Sequence, residues 1–166
     1  MTGYPSLLAL STALVALVLS TAPVPAQSPN LPLQLSSYPR TQLRITSPPG
    51  ARASHEFDVW VADTPERAEQ GLMFVSDLPE NKGMVFPLDP PRVENMWMKN
   101  TYIELDMLFI RSDGHVTKII ERAHPLSLET LSSDGPVAAV LELKGGLVAK
   151  LGLKNGDVVR WDKAAP

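Results

Sequence analysis

The sequence predicts a mainly β domain, a small sandwich or partly closed barrel of about 7–8 strands with one or two short helices. Three observations carry that expectation. Apolar and polar residues alternate with period two in several runs, as in His55-Glu56-Phe57-Asp58-Val59-Trp60-Val61. Gly, Pro, Asn and Asp punctuate the chain at short intervals. The helical segments are too few to cover a parallel sheet.

Taken in order, Leu7 to Leu19 is an uncharged run of Leu, Ala and Val, the length of a signal-peptide core and short for a spanning helix. Val24, Pro25 and Ala26 follow, so cleavage is expected after Ala26, leaving Gln27 first. No Lys or Arg precedes Leu7, and the alternative is an uncleaved membrane anchor. Either reading makes the protein exported, periplasmic or extracellular, with a membrane partner only if the segment is retained. From Pro23 to Gly50 there are seven prolines without lasting periodicity, so 1–26 reads as signal, 27–40 as Pro-rich linker and 41–162 as the β domain.

Thr41 to Thr46 alternates and begins the strands, before Pro48 and Pro49 interrupt. His55 to Val61 is the second strand. Thr64 is placed to cap a short helix whose first position is Pro65, where a missing N–H costs nothing. Ala68 and Leu72 form its expected inner face, with Arg67, Glu69 and Gln70 outward. Gly83–Phe86, Asn95–Asn100, Glu104–Ile110 and His115–Glu121 are expected strands, separated by Pro87-Leu88-Asp89-Pro90-Pro91 and Ser112-Asp113-Gly114. Val137–Leu143 is another strand. Leu147–Leu151 reads as one helical turn stopped by Gly152, and Asn155-Gly156 as a tight turn into Asp157–Trp161.

Composition narrows the function. The 166 residues are 44% hydrophobic and 20% charged, enough for one folded core. A net charge of −3 with scattered Lys and Arg gives no footprint for nucleic acid. Without cysteine there is no disulfide, thiolate zinc site or Cys nucleophile. His55, His115 and His124 lack zinc-ligand spacing, so no metal or cofactor is expected. Ser127 lacks a Gly-x-Ser-x-Gly elbow despite His124 nearby, and Lys144-Gly145-Gly146 lacks a phosphate-loop ending and reads as a strand end turning into a helix.

Several strings together resemble the family of domain of unknown function 192, DUF192. They are Thr64-Pro65-Glu66-Arg67-Ala68, Gln70-Gly71-Leu72-Met73, Gly83-Met84-Val85-Phe86, and Trp97-Met98-Lys99-Asn100-Thr101 leading into Leu105 to Ile110. Pro125-Leu126-Ser127, Val140 to Gly146 and Leu151 to Asp157 continue the likeness in the same order. The resemblance spans about Thr41 to Trp161 and implies a small, mostly β fold, often behind a signal or anchor, with no established activity. Met96 and Tyr102 depart from the residues usual in relatives.

The candidate binding residues are Trp97, Lys99, Asn100, Asp106, Glu142 and Arg67. Polar groups set among Trp97, Met98, Leu108 and Phe109 must be solvated or paired. Lys99 beside Asp106 could bind a small anionic or amide ligand or act as an acid/base pair, or else the two simply pair across a turn held by Asn100. Glu142 points to the opposite sheet face from Leu141 and Leu143 and could join that group or be solvated. Arg67 could reach a carboxylate or lie in solvent. Three readings stay open: a binding or accessory domain with an unknown small-molecule or protein partner; a hydrolytic enzyme using a carboxylate/Lys pair; and Cu(I) handling through Met96 and Met98, which would share a strand face.

Overall fold

The structure, a computed structural model, describes residues 32–47 and 54–162. The expected signal and residues 27–31 of the linker lie outside the described residues. The linker's last residues are inside the fold. Leu35–Ser37 form a single 3-10 turn. Gln70 accepts from the Leu33 amide at 2.5 Å and donates back to the Leu33 carbonyl at 2.8 Å, while Tyr38 is buried.

Seven strands follow: β1 (Arg40–Thr46), β2 (Ser54–Val61), β3 (Lys82–Met96), β4 (Leu105–Ile110), β5 (Val116–Ala123), β6 (Leu131–Lys144) and β7 (Val158–Trp161). Two helices interrupt them, α1 (Pro65–Gln70) between β2 and β3 and α2 (Leu147–Leu151) between β6 and β7. All seven strands belong to one sheet of order β5-β4-β6-β3-β2-β1-β7. Every neighbouring pair is antiparallel except β2 with β3, which α1 and its loop join as a crossover. The sheet curls until its edges touch: His115 bridges Val158, and the Val116 amide donates to the Asp157 carbonyl at 2.8 Å. The result is the partly closed barrel that the short strands predict, in its half-barrel form.

Curling gives the sheet an inside and an outside, and both are buried. Inside lie Leu43, Phe57, Val85, Leu108, Leu141 and Val159, closed at one end by Leu147 and Val148 of α2. Outside, Met84, Phe86, Met107, Phe109 and Val140 are covered by Tyr38, Leu72, Leu78 and Met98. β4 is therefore buried at all six positions, which explains why its sequence Leu-Asp-Met-Leu-Phe-Ile hardly alternates. Truncating any one of these large side chains to Ala should cost about 2–5 kcal/mol.

Three local expectations are corrected. Pro87 to Pro91 does not separate strands; it is a bulge within β3, where the register with β6 shifts between Pro87 and Arg92 and missing amides are tolerated. The strand expected over Asn95–Asn100 ends at Met96, because Asn100 takes a left-handed conformation (φ 54°) and the Thr101 amide closes a turn on the Met98 carbonyl at 3.1 Å. Ala68 is exposed rather than inward, and no residue of α1 is buried; six residues are too few to bury a stripe, and Leu72 beyond its end does the packing. The cap itself forms as expected, the Arg67 amide donating to Thr64 Oγ1 at 3.3 Å.

Candidate functional site: the Glu142 pocket

The six candidate residues do not meet at one point. Asp106 and Glu142 occupy adjacent strands, β4 and β6, but opposite faces. Asp106 pairs in register with Leu143 of the inner core, whereas Glu142 pairs with Met107 and, across β3, with Met84, both of the outer core.

Asp106 is fully buried and fully engaged. Its Oδ1 accepts from the Arg122 amide at 2.8 Å and the Gly146 amide at 2.9 Å, and its Oδ2 from the Val148 amide at 2.7 Å. Gly146 precedes α2 and has no side chain with which to cap it, so the carboxylate on the neighbouring strand satisfies the first amides of that helix. The expected Lys99–Asp106 pair is not formed: Lys99 is exposed on the loop after β3, and Asp106 is spent on backbone. The hydrolytic reading built on a carboxylate/Lys pair loses its geometry with it. Asn100 does hold the turn, its carbonyl accepting from the Phe74 amide at 2.9 Å. Arg67 donates to Asp63 at 2.5 Å and to the Ser37 carbonyl at 2.9 Å, with its guanidinium 5.6 Å from the Tyr38 ring centre. It fastens the N-terminal turn to α1. Met96 and Met98 do not share a strand face, since pairing stops at Met96; Met98 is wholly buried in the outer core.

Glu142 differs from all of these. It is only 4% exposed, yet among the described residues its carboxyl makes no hydrogen bond or ion pair, and burial pushes that carboxyl up to about 8. It lies on the floor of a cavity of about 300 Å³. The walls are Gly71, Met73, Phe86, Leu88, Met96 and Thr101, and Trp97, 51% exposed, stands among them. Glu69 from α1 and Arg92 and Glu94 from β3 also face the opening; Arg92 Nε is 3.0 Å from Glu94 Oε2.

Loops held by mutual hydrogen bonds frame this side of the sheet. The Met98 amide donates to the Ser127 carbonyl and the Leu126 amide to the Thr101 carbonyl, both at 3.1 Å. Phe74, Asn100 and Leu126 in these loops have φ values of 67°, 54° and 62°. Two of them are bulky residues for which left-handed backbone is unfavourable, and both side chains are exposed; the Phe74 ring packs edge-on against Tyr102 at 6.2 Å.

Of the predicted residues, the structure thus brings Trp97 and Glu142 together and places Arg67, Lys99 and Asp106 elsewhere. Sequence reasoning missed Met73, Phe86, Arg92, Glu94 and Thr101. A signal for some of them was present, because the strings Gln70-Gly71-Leu72-Met73, Gly83-Met84-Val85-Phe86 and Trp97 to Thr101, which carry the family likeness, all contribute walls to this one cavity.

The fold is a curled half-barrel with the Glu142 pocket on its outer face, and the chain belongs to the DUF192 family, described as "Uncharacterized ACR", which matches residues 47–161. Two solved structures are similar. One, from Sinorhizobium meliloti 1021, is described as a "putative transcription regulator"; it is 41% identical over 75% of this chain and 95% of its own, with a TM-score of 0.72. The other, a protein of unknown function from Novosphingobium aromaticivorans DSM 12444, is 37% identical over 84% of this chain and 94% of its own, also with a TM-score of 0.72. No curated protein matches.

Proposed function

We propose that the protein is a small-molecule binding module whose site is the Glu142 pocket. The observation that carries this reading is the carboxyl group of a buried glutamate that has no hydrogen-bond partner among the described residues and lines an open, mainly apolar cavity. Its oxygens open onto the cavity instead of onto donors of the chain, so the group is available to a hydrogen-bonding head group of a ligand. The volume sits at the small end of ligand pockets, which run from about 300 to 1,000 Å³. The ligand is therefore compact, with one hydrogen-bonding head group for Glu142 and an apolar body for Met73, Phe86 and Trp97.

The regulator description of the Sinorhizobium relative does not carry DNA binding to this chain. Among the described residues ten Lys and Arg side chains lie within ion-pair distance of a carboxylate, and the net charge is −3. Phosphate binding needs free, clustered cations.

A saturation-transfer NMR screen of small fragments tests the reading. Hits should shift the amides of Met73, Trp97 and Thr101 and should vanish in Ala68→Trp, which blocks the mouth from an exposed position on α1 without touching either core. Hits that map to other surfaces, or that survive Ala68→Trp, would remove the pocket from consideration.

A further inference from the structure

We infer that the ligand of the Glu142 pocket is an organic ammonium compound, a primary or secondary amine on an apolar body, held with its charged nitrogen against the Glu142 carboxylate. The inference rests on the pocket reading above and adds the chemical class.

Charge selects a cation. The charged groups facing the cavity are Glu69 from α1, Arg92 and Glu94 from β3 and Glu142 from β6; the strand residues flanking Glu142 in register are Met84 and Met107, which are neutral. Three carboxyl groups thus meet one guanidinium, and that guanidinium is already engaged by Glu94 at 3.0 Å. An anionic ligand would find no unengaged cation among the residues that line the cavity. A bare metal ion fits no better, because no group of three or more His, Cys, Asp or Glu able to hold one occurs among the described residues, and the walls beside Glu142 are apolar. An organic cation suits both halves of the site. Trp97 offers the aromatic face to which ammonium groups are most attracted, and Met73, Met96 and Phe86 cover the ligand's carbon skeleton.

The proton balance follows from the same burial. Without a ligand, near neutral pH, burial favours the protonated form of the carboxyl. An incoming ammonium supplies the missing counter-charge, so the carboxyl ionises on binding and its proton passes to solvent. The bound state is a carboxylate–ammonium pair, and close to one proton is released per ligand.

Isothermal titration with a panel of small primary amines, benzylamine and phenethylamine among them, and their carbon-for-carbon alcohols tests this at pH 6.5 in buffers of different ionisation enthalpy. The best amine is expected to bind roughly tenfold more tightly than its alcohol, releasing nearly one proton. Glu142→Gln should abolish the proton release and the amine preference while alcohol binding remains. Alcohols binding as tightly as amines, or amine binding without proton release in the wild-type protein, would overturn the ammonium assignment while leaving the pocket reading intact. Absence of any binding that Ala68→Trp blocks would overturn both.

Discussion

The two faces of the curled sheet each bury one carboxyl group on neighbouring strands, and they treat it in opposite ways. On the inside, Asp106 has three backbone amides within 2.9 Å, and the helix it caps seals that end of the barrel. On the outside, Glu142 has no partner, and the loops above it leave a cavity rather than a seal. Burial alone therefore does not distinguish a carboxylate that holds the fold together from one proposed to meet a ligand. The distinction lies in whether the chain itself supplies the donors. Local strain differs too: Arg122 is left-handed (φ 48°) where its amide reaches Asp106, so its strain is offset by a charged hydrogen bond, whereas Phe74 and Leu126 are left-handed with exposed side chains.

The largest expected effect is on the inner face. Asp106→Ala strands three buried or half-buried amides at roughly 1–3 kcal/mol each, so urea denaturation should show a loss of about 5 kcal/mol, enough to threaten folding. Asp106→Asn keeps one carbonyl oxygen and should lose roughly half as much. A loss below about 1 kcal/mol in both variants would mean that α2 is not held by this carboxylate. The outer face should respond to pH instead. The Glu142 carboxyl lies near 8 in the folded protein against an ordinary 4.5, so between those values the native state binds a proton that the unfolded state has released. Stability then falls as pH rises through that window, and is flat on this account below 4.5 and above 8. From pH 5 to 7.5 the wild-type protein should lose on the order of 3 kcal/mol relative to Glu142→Gln, in which this contribution is absent. Parallel curves for the two proteins would show that the folded carboxyl is already satisfied.

Much of the scaffold is legible in the sequence, and the reasons are local. Thr64 before Pro65, the alternation of His55 to Val61, and Leu147 to Leu151 followed by Gly152 each reflect constraints that act within a few residues of chain. The Pro87–Pro91 segment misleads for the converse reason: prolines forbid ladder hydrogen bonds locally, but only the partner strand β6 decides that the gap is a bulge inside β3 rather than its end. The site is half legible. Glu142 and Trp97 stand out as polar and aromatic groups in apolar strands, and alternation correctly sets Glu142 opposite Leu141 and Leu143. That Asp106 faces the other way depends on the register of β4 against β6, which pairs it with Leu143, and no spacing in the sequence reveals a register. Lys99 and Arg67 stand out by charge alone, and charge says nothing about which side of a turn a side chain takes.

The smallest effect concerns the backbone strain at Leu126. Leu126 is 58% exposed at φ 62°, so its side chain contributes little burial while its backbone bears a steric cost of about 1–2 kcal/mol. Glycine removes that cost but gives the unfolded chain more freedom, worth about 0.5–1 kcal/mol in the other direction. Leu126→Gly should therefore stabilise the protein slightly, by about 0.5 kcal/mol in urea denaturation. The same substitution at Arg122 should destabilise, because Arg122 N–H is one of the three donors to Asp106 and a more mobile backbone holds that bond less well. If both glycine variants are stabilising, left-handed backbone in this fold is simply strain, and the Arg122 amide contributes nothing through its bond to Asp106. Opposite signs would show that the Arg122 conformation is held by its hydrogen bond to Asp106 while that of Leu126 is a local steric cost.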